Sequence, residues 1–196
     1  MRRLILVRHA ATTATRAGAF PGDESLDERG RDVASAVGGV LRAEGAETLC
    51  SPARRCVETA AAAGLPEPEL LPDIAECDFG SWAHRTLAEI DALDRAGVTA
   101  WMTDPDAAPH GGESLSSFAQ RVGAWLDGQA RLDGRAIAIT HGGVVKAALV
   151  RALQAPLAAF WRIDVAPLAV TELHAHDGRW TVTRVNCLAG AGALRG

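Results

Sequence analysis

The chain has 196 residues, 48% of them hydrophobic, and a formal net charge of −4 from 20 basic and 24 acidic side chains. That length and apolar content fit one domain, residues 1–196, with a sizeable core. The acidic balance, with no basic run, excludes a general nucleic-acid binder, and no apolar stretch reaches the roughly 20 residues a membrane span needs. Four cysteines (Cys50, Cys56, Cys77, Cys187) lack CxxC spacing and read as reduced, mostly buried thiols of a cytoplasmic protein. The start, Arg2-Arg3 and then apolar residues, has no signal-peptide pattern. Lys146 is the only lysine and tyrosine is absent, which reads as compositional bias.

Leu4-Ile5-Leu6-Val7 is a continuous apolar run and predicts a strand buried on both faces. Arg8 and His9 follow at once. Strand neighbours point to opposite faces, so both can serve one site only if regular strand geometry ends at about Arg8. Residues 11–25 read as a polar loop. Asp27 caps a predicted helix to about Glu44, with Val33, Val37, Val40 and Leu41 inward and Gly45 as its stop. Glu47 to Cys50 is a short strand. Ser51-Pro52 predicts a helix start with Ser as N-cap, running to about Ala63 and stopped by Gly64. Leu70-Leu71 is a candidate third strand.

Residues 73–113 interrupt this alternation and predict an inserted cap or specificity wall near the strand ends. Within them, Thr86-Leu87-Ala88-Glu89 is a capping box for a helix with Leu87, Ile90 and Leu93 inward, ended by Gly97. Residues 98–113 read as largely irregular. Ser114 opens a longer helix with Leu115, Phe118, Val122, Trp125 and Leu126 on one stripe. Ala136 to Thr140 is an apolar strand, followed by His141-Gly142-Gly143 and a helix with Val144, Ala148, Leu149 and Ala152 on one face. Asp177-Gly178 marks a hairpin between Ala169–His176 and Trp180–Val185. The pattern predicts an α/β fold: a three-layer α/β/α sandwich whose mostly parallel sheet carries an antiparallel C-terminal edge hairpin.

Three predicted strand exits carry related chemistry: Arg8-His9, Ser51-Pro52 with Arg54-Arg55, and His141-Gly142-Gly143. Parallel strands bring such exits to one sheet edge, where open α/β sheets bind ligands. Arginine forks match phosphate oxygens, and helix amino ends and glycine amides add anion-directed N–H donors. Any one exit alone would more often be structural; the three together describe a phosphoryl pocket.

These residues resemble the histidine phosphatase superfamily, in its phosphoglycerate-mutase-like branch. Its RHG motif is similar to Arg8-His9-Ala10, and its Ser-Pro-x-x-Arg segment to Ser51–Arg55 with Glu58-Thr59-Ala60. Ile74–Trp82 resembles its Leu-x-Glu-x-x-Phe-Gly-x-Trp segment, Gly111–Ser114 its Gly-Gly-Glu-Ser, and His141-Gly142 its second His-Gly. The resemblance implies that His9 is a phosphorylated nucleophile, that Arg8, Arg55 and His141 hold the phosphoryl oxygens, and that Glu76 is the proton donor. It implies phosphate contacts from Thr15, where the family often has Asn, and from the Gly142 amide. Arg54 is then a surface residue, and Asp78 is the second choice for the acid. Ala10, Ala11 and Ala83-His84 depart from the family pattern and bear on specificity.

The expected activity is hydrolysis of a small phosphorylated metabolite through a phosphohistidine, with no metal and no cofactor. Phosphotransfer of the mutase type and a non-catalytic phospho-ligand module are the alternatives. A monomer or homodimer is expected, with neither nucleic acid nor membrane as partner. His84 and His110 read as solvated loop histidines beside the site, and His174 and His176 lack a third ligand for a metal.

Overall fold

The computed structural model describes residues 1–41 and 45–188. Its strands are β1 (Arg2–Arg8), β2 (Glu47–Cys50), β3 (Glu69–Leu70), β4 (Gly134–Thr140), β5 (Ala169–His176) and β6 (Arg179–Leu188). They form one sheet in the order β3-β2-β4-β1-β5-β6. The first four strands of that order run parallel, and β5 and β6 are antiparallel to their neighbours. Its helices are α1 (Thr13–Ala17), α2 (Glu28–Leu41), α3 (Arg54–Ala62), α4 (Leu87–Leu93), α5 (Arg95–Thr103), α6 (Leu115–Gln129) and α7 (Gly142–Ala152). Short 3₁₀ turns lie at Pro72–Ile74, Gly80–Trp82 and Leu157–Arg162.

The apolar run of β1 supplies both faces, as expected. Leu4 and Leu6 join a core with α6 and α7. Ile5 and Val7 join one with α2 and α3 on the other side. This alternation makes the three layers. The α6 stripe is buried as predicted. Asp177 (φ 50°) and Gly178 (φ 73°) both take positive φ in the hairpin turn, the geometry of a type I′ loop.

Several local expectations are corrected. The polar loop contains the short helix α1, capped by Thr12 and closed by Gly18. In α2 the buried face is Gly30, Ala34, Gly38 and Leu41, while Val33 is exposed. A Cβ at Gly30 would stand 2.2 Å from the Ala11 carbonyl oxygen, and one at Gly38 2.3 Å from that of Ala63. Close backbone approach, not apolar content, selects that face. The end of this helix near Glu44 lies outside the described residues. Asp27 does cap it, accepting from the Gly30 amide at 2.6 Å.

The next helix begins at Arg54, and Ser51 is not its cap. The third strand sits one residue earlier than expected, and Leu70 is exposed on its edge. The Thr86 capping box is present, but Leu87 and Leu93 are exposed and only Ile90 is buried. Gly97 does not end that helix. Asp94 caps α5 by accepting from the Gly97 amide at 2.8 Å, so residues 95–103 are helical. A side chain at 97 would collide with the Asp94 carboxylate, at 2.1 Å. No described helix is long and apolar enough to cross a membrane.

Candidate active site

Register places the site. Arg8 pairs with Thr140 at the ends of β1 and β4, and Cys50 pairs with Ile139 at the end of β2. Each ladder continues one bond further: the His9 amide donates to Thr140 O at 2.8 Å and the Ser51 amide to Ile139 O at 2.9 Å. Ser51, His141 and His9 therefore leave three adjacent strands at nearly one level. Parallel strands lie about 4.8 Å apart, and the His9 and His141 ring centroids are 5.3 Å apart. Arg55 reaches the same point from the first turn of α3, while Arg54 is exposed.

Hydrogen bonds assign the ring protons. His9 Nδ1 lies 2.7 Å from the Ala10 carbonyl, which only accepts, so Nδ1 carries the proton. Nε2 keeps a lone pair, and Arg55 Nε donates to it at 3.2 Å. Arg55 Nη2 donates to His141 Nδ1 at 3.1 Å. His141 then donates from Nε2 to Ser51 Oγ at 2.7 Å. Arg55 Nη1 donates to the Gly22 carbonyl at 2.6 Å. One guanidinium thus spans both imidazoles, and all three side chains are buried. Burial, then the Arg55 charge, pushes the His9 pKa down to about 3. Burial, His9 and Arg55 likewise hold His141 well below the usual histidine range. Both rings are neutral at pH 7.

Arg8 donates from Nη1 to the Val165 carbonyl at 2.5 Å. Its Nε is buried and has no protein acceptor. Gly142 stands beside it, and a Cβ there would lie 3.4 Å from that nitrogen. Glu76 follows the 3₁₀ turn at Pro72–Ile74 and accepts from the Gly143 amide at 3.3 Å, at the amino end of α7. A Cβ at Gly143 would stand 2.1 Å from Glu76 Oε1, so only glycine lets the carboxylate reach that helix end. The neighbouring carboxylates are engaged elsewhere: Asp78 accepts from the Gly80 amide at 2.9 Å, Glu113 pairs with Arg121 at 2.8 Å, and Asp73 is exposed. Glu76 lies where two cavities meet, one bordered by Arg8 and the other by Arg55.

The structure thus brings together Arg8, His9, Arg55, Glu76, His141 and Gly142. It does not bring Thr15 with them. Its hydroxyl lies 3.1 Å from that of its helix cap Thr12 and makes no hydrogen bond to any of these six residues. His110 is not solvated: it is buried, accepts from the Gly112 amide at 3.0 Å and packs 5.0 Å from Trp82. His84 is exposed, with its ring against Gly22. His174 is 2.6 Å from Glu172. Among the described residues no three His, Cys, Asp or Glu side chains are placed to share a metal ion.

Three contributors escaped the sequence reading. Ser51 holds His141 at 2.7 Å as well as accepting from the Ala53 amide just before α3 at 3.3 Å. Gly143 admits Glu76. Thr59 accepts from the Ala10 amide at 3.0 Å and so fixes the turn after His9. All three stood in quoted motifs, but their roles did not show: Ser51 and Gly143 act on partners 90 and 67 residues away in the chain.

Comparison with known proteins agrees with this geometry. The family model of the histidine phosphatase superfamily (branch 1) matches residues 4–188. The chain belongs to the histidine phosphatase superfamily. It is 33% identical to the adenosylcobalamin/alpha-ribazole phosphatase of Salmonella typhimurium over 83% of this chain and 85% of that one. It is 31% identical to bifunctional protein Rv2228c of Mycobacterium tuberculosis over 94% of its own length, but spans only 53% of that relative. The crystal structure of the alpha-ribazole phosphatase from Shigella flexneri superposes with a TM-score of 0.82 at 25% identity, covering 95% of this chain and 98% of that one. As a histidine phosphatase the chain is a phosphoric monoester hydrolase.

Proposed function

We propose that this histidine phosphatase hydrolyses a small phosphorylated metabolite through a phosphohistidine at His9, without a metal ion. The observation that carries this reading is the His9 tautomer. The Ala10 carbonyl holds the proton on Nδ1, which leaves the Nε2 lone pair facing Arg55. The depressed pKa keeps that lone pair free at any ordinary pH.

The phosphoryl group of a substrate takes the Arg55 donors from the two ring nitrogens and also meets the unpaired Arg8 Nε. His9 Nε2 attacks phosphorus in line as the ester P–O bond breaks. Glu76 gives its proton to the departing alkoxide oxygen. Water then attacks the phosphorus of phospho-His9, Glu76 takes a water proton, and the P–N bond returns its electron pair to Nε2. Covalent catalysis splits one hard displacement into two easier ones. Arg8, Arg55 and the amino end of α7 stabilise charge on the transferring oxygens. His141 is kept neutral in the free site by burial first and then by its cationic neighbours. A phosphoryl dianion reverses that field, and the ring can then accept a proton on Nδ1 and donate it as a hydrogen bond to the phosphoryl group.

Rapid quench with labelled substrate tests the reading. Acid-labile, base-stable phosphate should be trapped on the wild type, with or without EDTA, and not on His9→Ala. Turnover of His9→Ala near the wild-type rate would refute it. Phosphate release against a mutase assay separates hydrolysis from transfer. Alpha-ribazole phosphate, implied by the name of the Salmonella relative, is the first specific compound to assay.

A further inference from the structure

The cavity bordered by Arg8 has a volume of about 380 Å³, within the usual range for a small-ligand site. The phosphoryl cradle accounts for Arg8, Gly142, Gly143 and Glu76. It leaves Lys146 and Asp164, and an aromatic wall from Phe20, Phe79, Trp101 and Trp161. Lys146 is four residues after Gly142 in α7, so it rises from the same helix face one turn further from the cradle. Its Nζ lies over the Phe160 ring, 5.3 Å from the centroid, a cation–π contact that holds it in place.

Among the described residues no acceptor lies within hydrogen-bond or ion-pair reach of Nζ, although the side chain is half-buried and burial pushes its pKa down. An ammonium partly removed from water, with its donors aimed into a cavity, is satisfied by what enters that cavity. Asp164 borders the same space. Asp164 is exposed at the edge of the cavity; one of its oxygens accepts from the Val165 amide at 2.9 Å, and among the described residues no hydrogen bond or ion pair engages the other. The two side chains make no ion pair with each other.

We propose, on the phosphatase reading above, that Lys146 and Asp164 read the hydroxyl groups of an uncharged, polyhydroxylated leaving group, as in a sugar phosphate, whose ring lies against the aromatic wall. A hydroxyl accepts from the ammonium and donates to the carboxylate, so it satisfies both. A second anion on the leaving group would be drawn to Lys146 and repelled by Asp164. With the phosphoryl dianion on the arginines and Glu76 holding the proton it donates, Lys146 and Asp164 are the charges left along this cavity, and they balance.

The test compares kcat/KM on ribose 5-phosphate, on tetrahydrofurfuryl phosphate (the same ring without hydroxyls), on 3-phosphoglycerate and on p-nitrophenyl phosphate. Wild type, Lys146→Met and Asp164→Ala are measured, with thermal unfolding to confirm that all are folded. The wild type should prefer ribose 5-phosphate over its deoxygenated analogue by about 10–100-fold, because unmet polar groups penalise the analogue. Each substitution should shrink that ratio to within a few fold. The readout is a ratio, so any general loss cancels. Unchanged ratios, a wild type indifferent to the hydroxyls, or a Lys146→Met loss concentrated on 3-phosphoglycerate would each overturn the proposal. A wild type silent on all four, p-nitrophenyl phosphate included, would overturn the phosphatase reading and this proposal with it.

Discussion

Each end of β1 buries arginine, and the two ends use it differently. At the start of the strand, Arg2 is 1% exposed and every side-chain nitrogen has a protein acceptor. Nε and Nη2 donate to Gln129 at 3.2 and 2.7 Å, Nη1 to the Asp133 carbonyl at 3.0 Å, and Nη2 also to Glu47 at 2.8 Å. At the far end, Arg8 keeps a buried Nε with no acceptor, and Arg55 spends two of its donors on ring nitrogens that a ligand can displace. A saturated buried cation is part of the scaffold. One left short of acceptors, beside neutral imidazoles, is waiting for an anion.

The comparison breaks most visibly at Arg55. Arg55→Met should lower kcat/KM by about 10³-fold or more, since it removes a fork aimed at transition-state charge. Its melting temperature should fall as well, because both ring nitrogens, the Gly22 carbonyl and Glu24 lose their partner. A variant that loses stability and keeps activity would place Arg55 with Arg2.

Glu76→Gln should cost about 10²–10³-fold on alkyl phosphates, within the range for a general acid. It should cost far less on p-nitrophenyl phosphate, whose leaving group departs without a proton. Single-turnover phosphorylation of His9 with both substrate types measures this. A leaving-group-dependent loss in Asp78→Asn instead would transfer the role to Asp78, against its engagement with the Gly80 amide.

Gly143→Ala sharpens the same point without touching an ionisable group. The added methyl must displace the Glu76 carboxylate, so a loss of about tenfold should show the same leaving-group pattern. A loss equal on both substrate types would mean that Gly143 serves the phosphoryl group rather than Glu76.

Arg2→Met is the counterpart at the scaffold end. It leaves Gln129 without its donors and should destabilise by about 1–3 kcal/mol, with kcat/KM within twofold of wild type. Denaturant unfolding and steady-state kinetics on one preparation decide it.

The last effect is in pH. The folded His9 pKa of about 3 lies below its unfolded value near 6.5. The unfolded chain therefore takes up the proton first on acidification. The stability difference is fully present above pH 6.5 and is lost as pH falls toward 3. His9→Gln should lose less stability than the wild type over that window, read from melting temperatures at pH 7 and pH 4.5. Equal losses would show that His9 titrates normally.

How much of this was legible without coordinates follows the reach of each rule. Thr86 with Glu89, Ser114 with Ser117, and Asp177-Gly178 specify caps and a turn inside four residues of chain. Backbone groups that must be paired within that span leave few solutions. The apolar run before Arg8 and the one before Thr140 specify buried parallel strands, and parallel strands send their exits to one edge. The sequence by itself therefore determined the layers, the sheet edge and the identity of the residues on it.

Tertiary structure decided which of those residues touch. Ser51 looked like a cap because its nearest backbone neighbours offer that bond, yet register set it beside His141, 90 residues away. Gly30 and Gly38 joined Ala34 and Leu41 on the inner face of α2, with Val37 packed beside them, because another backbone passes within reach of the glycine Cα atoms. Glu76, rather than Asp78 two residues on, reaches the amino end of α7 because Gly143 leaves room there for a carboxylate. Lys146, unremarkable in the sequence, gained its setting only when α7 turned it over Phe160 into a cavity. Local propensity acts over one helical turn. Contacts across strands depend on register and close packing, which emerge only when the whole sheet has formed.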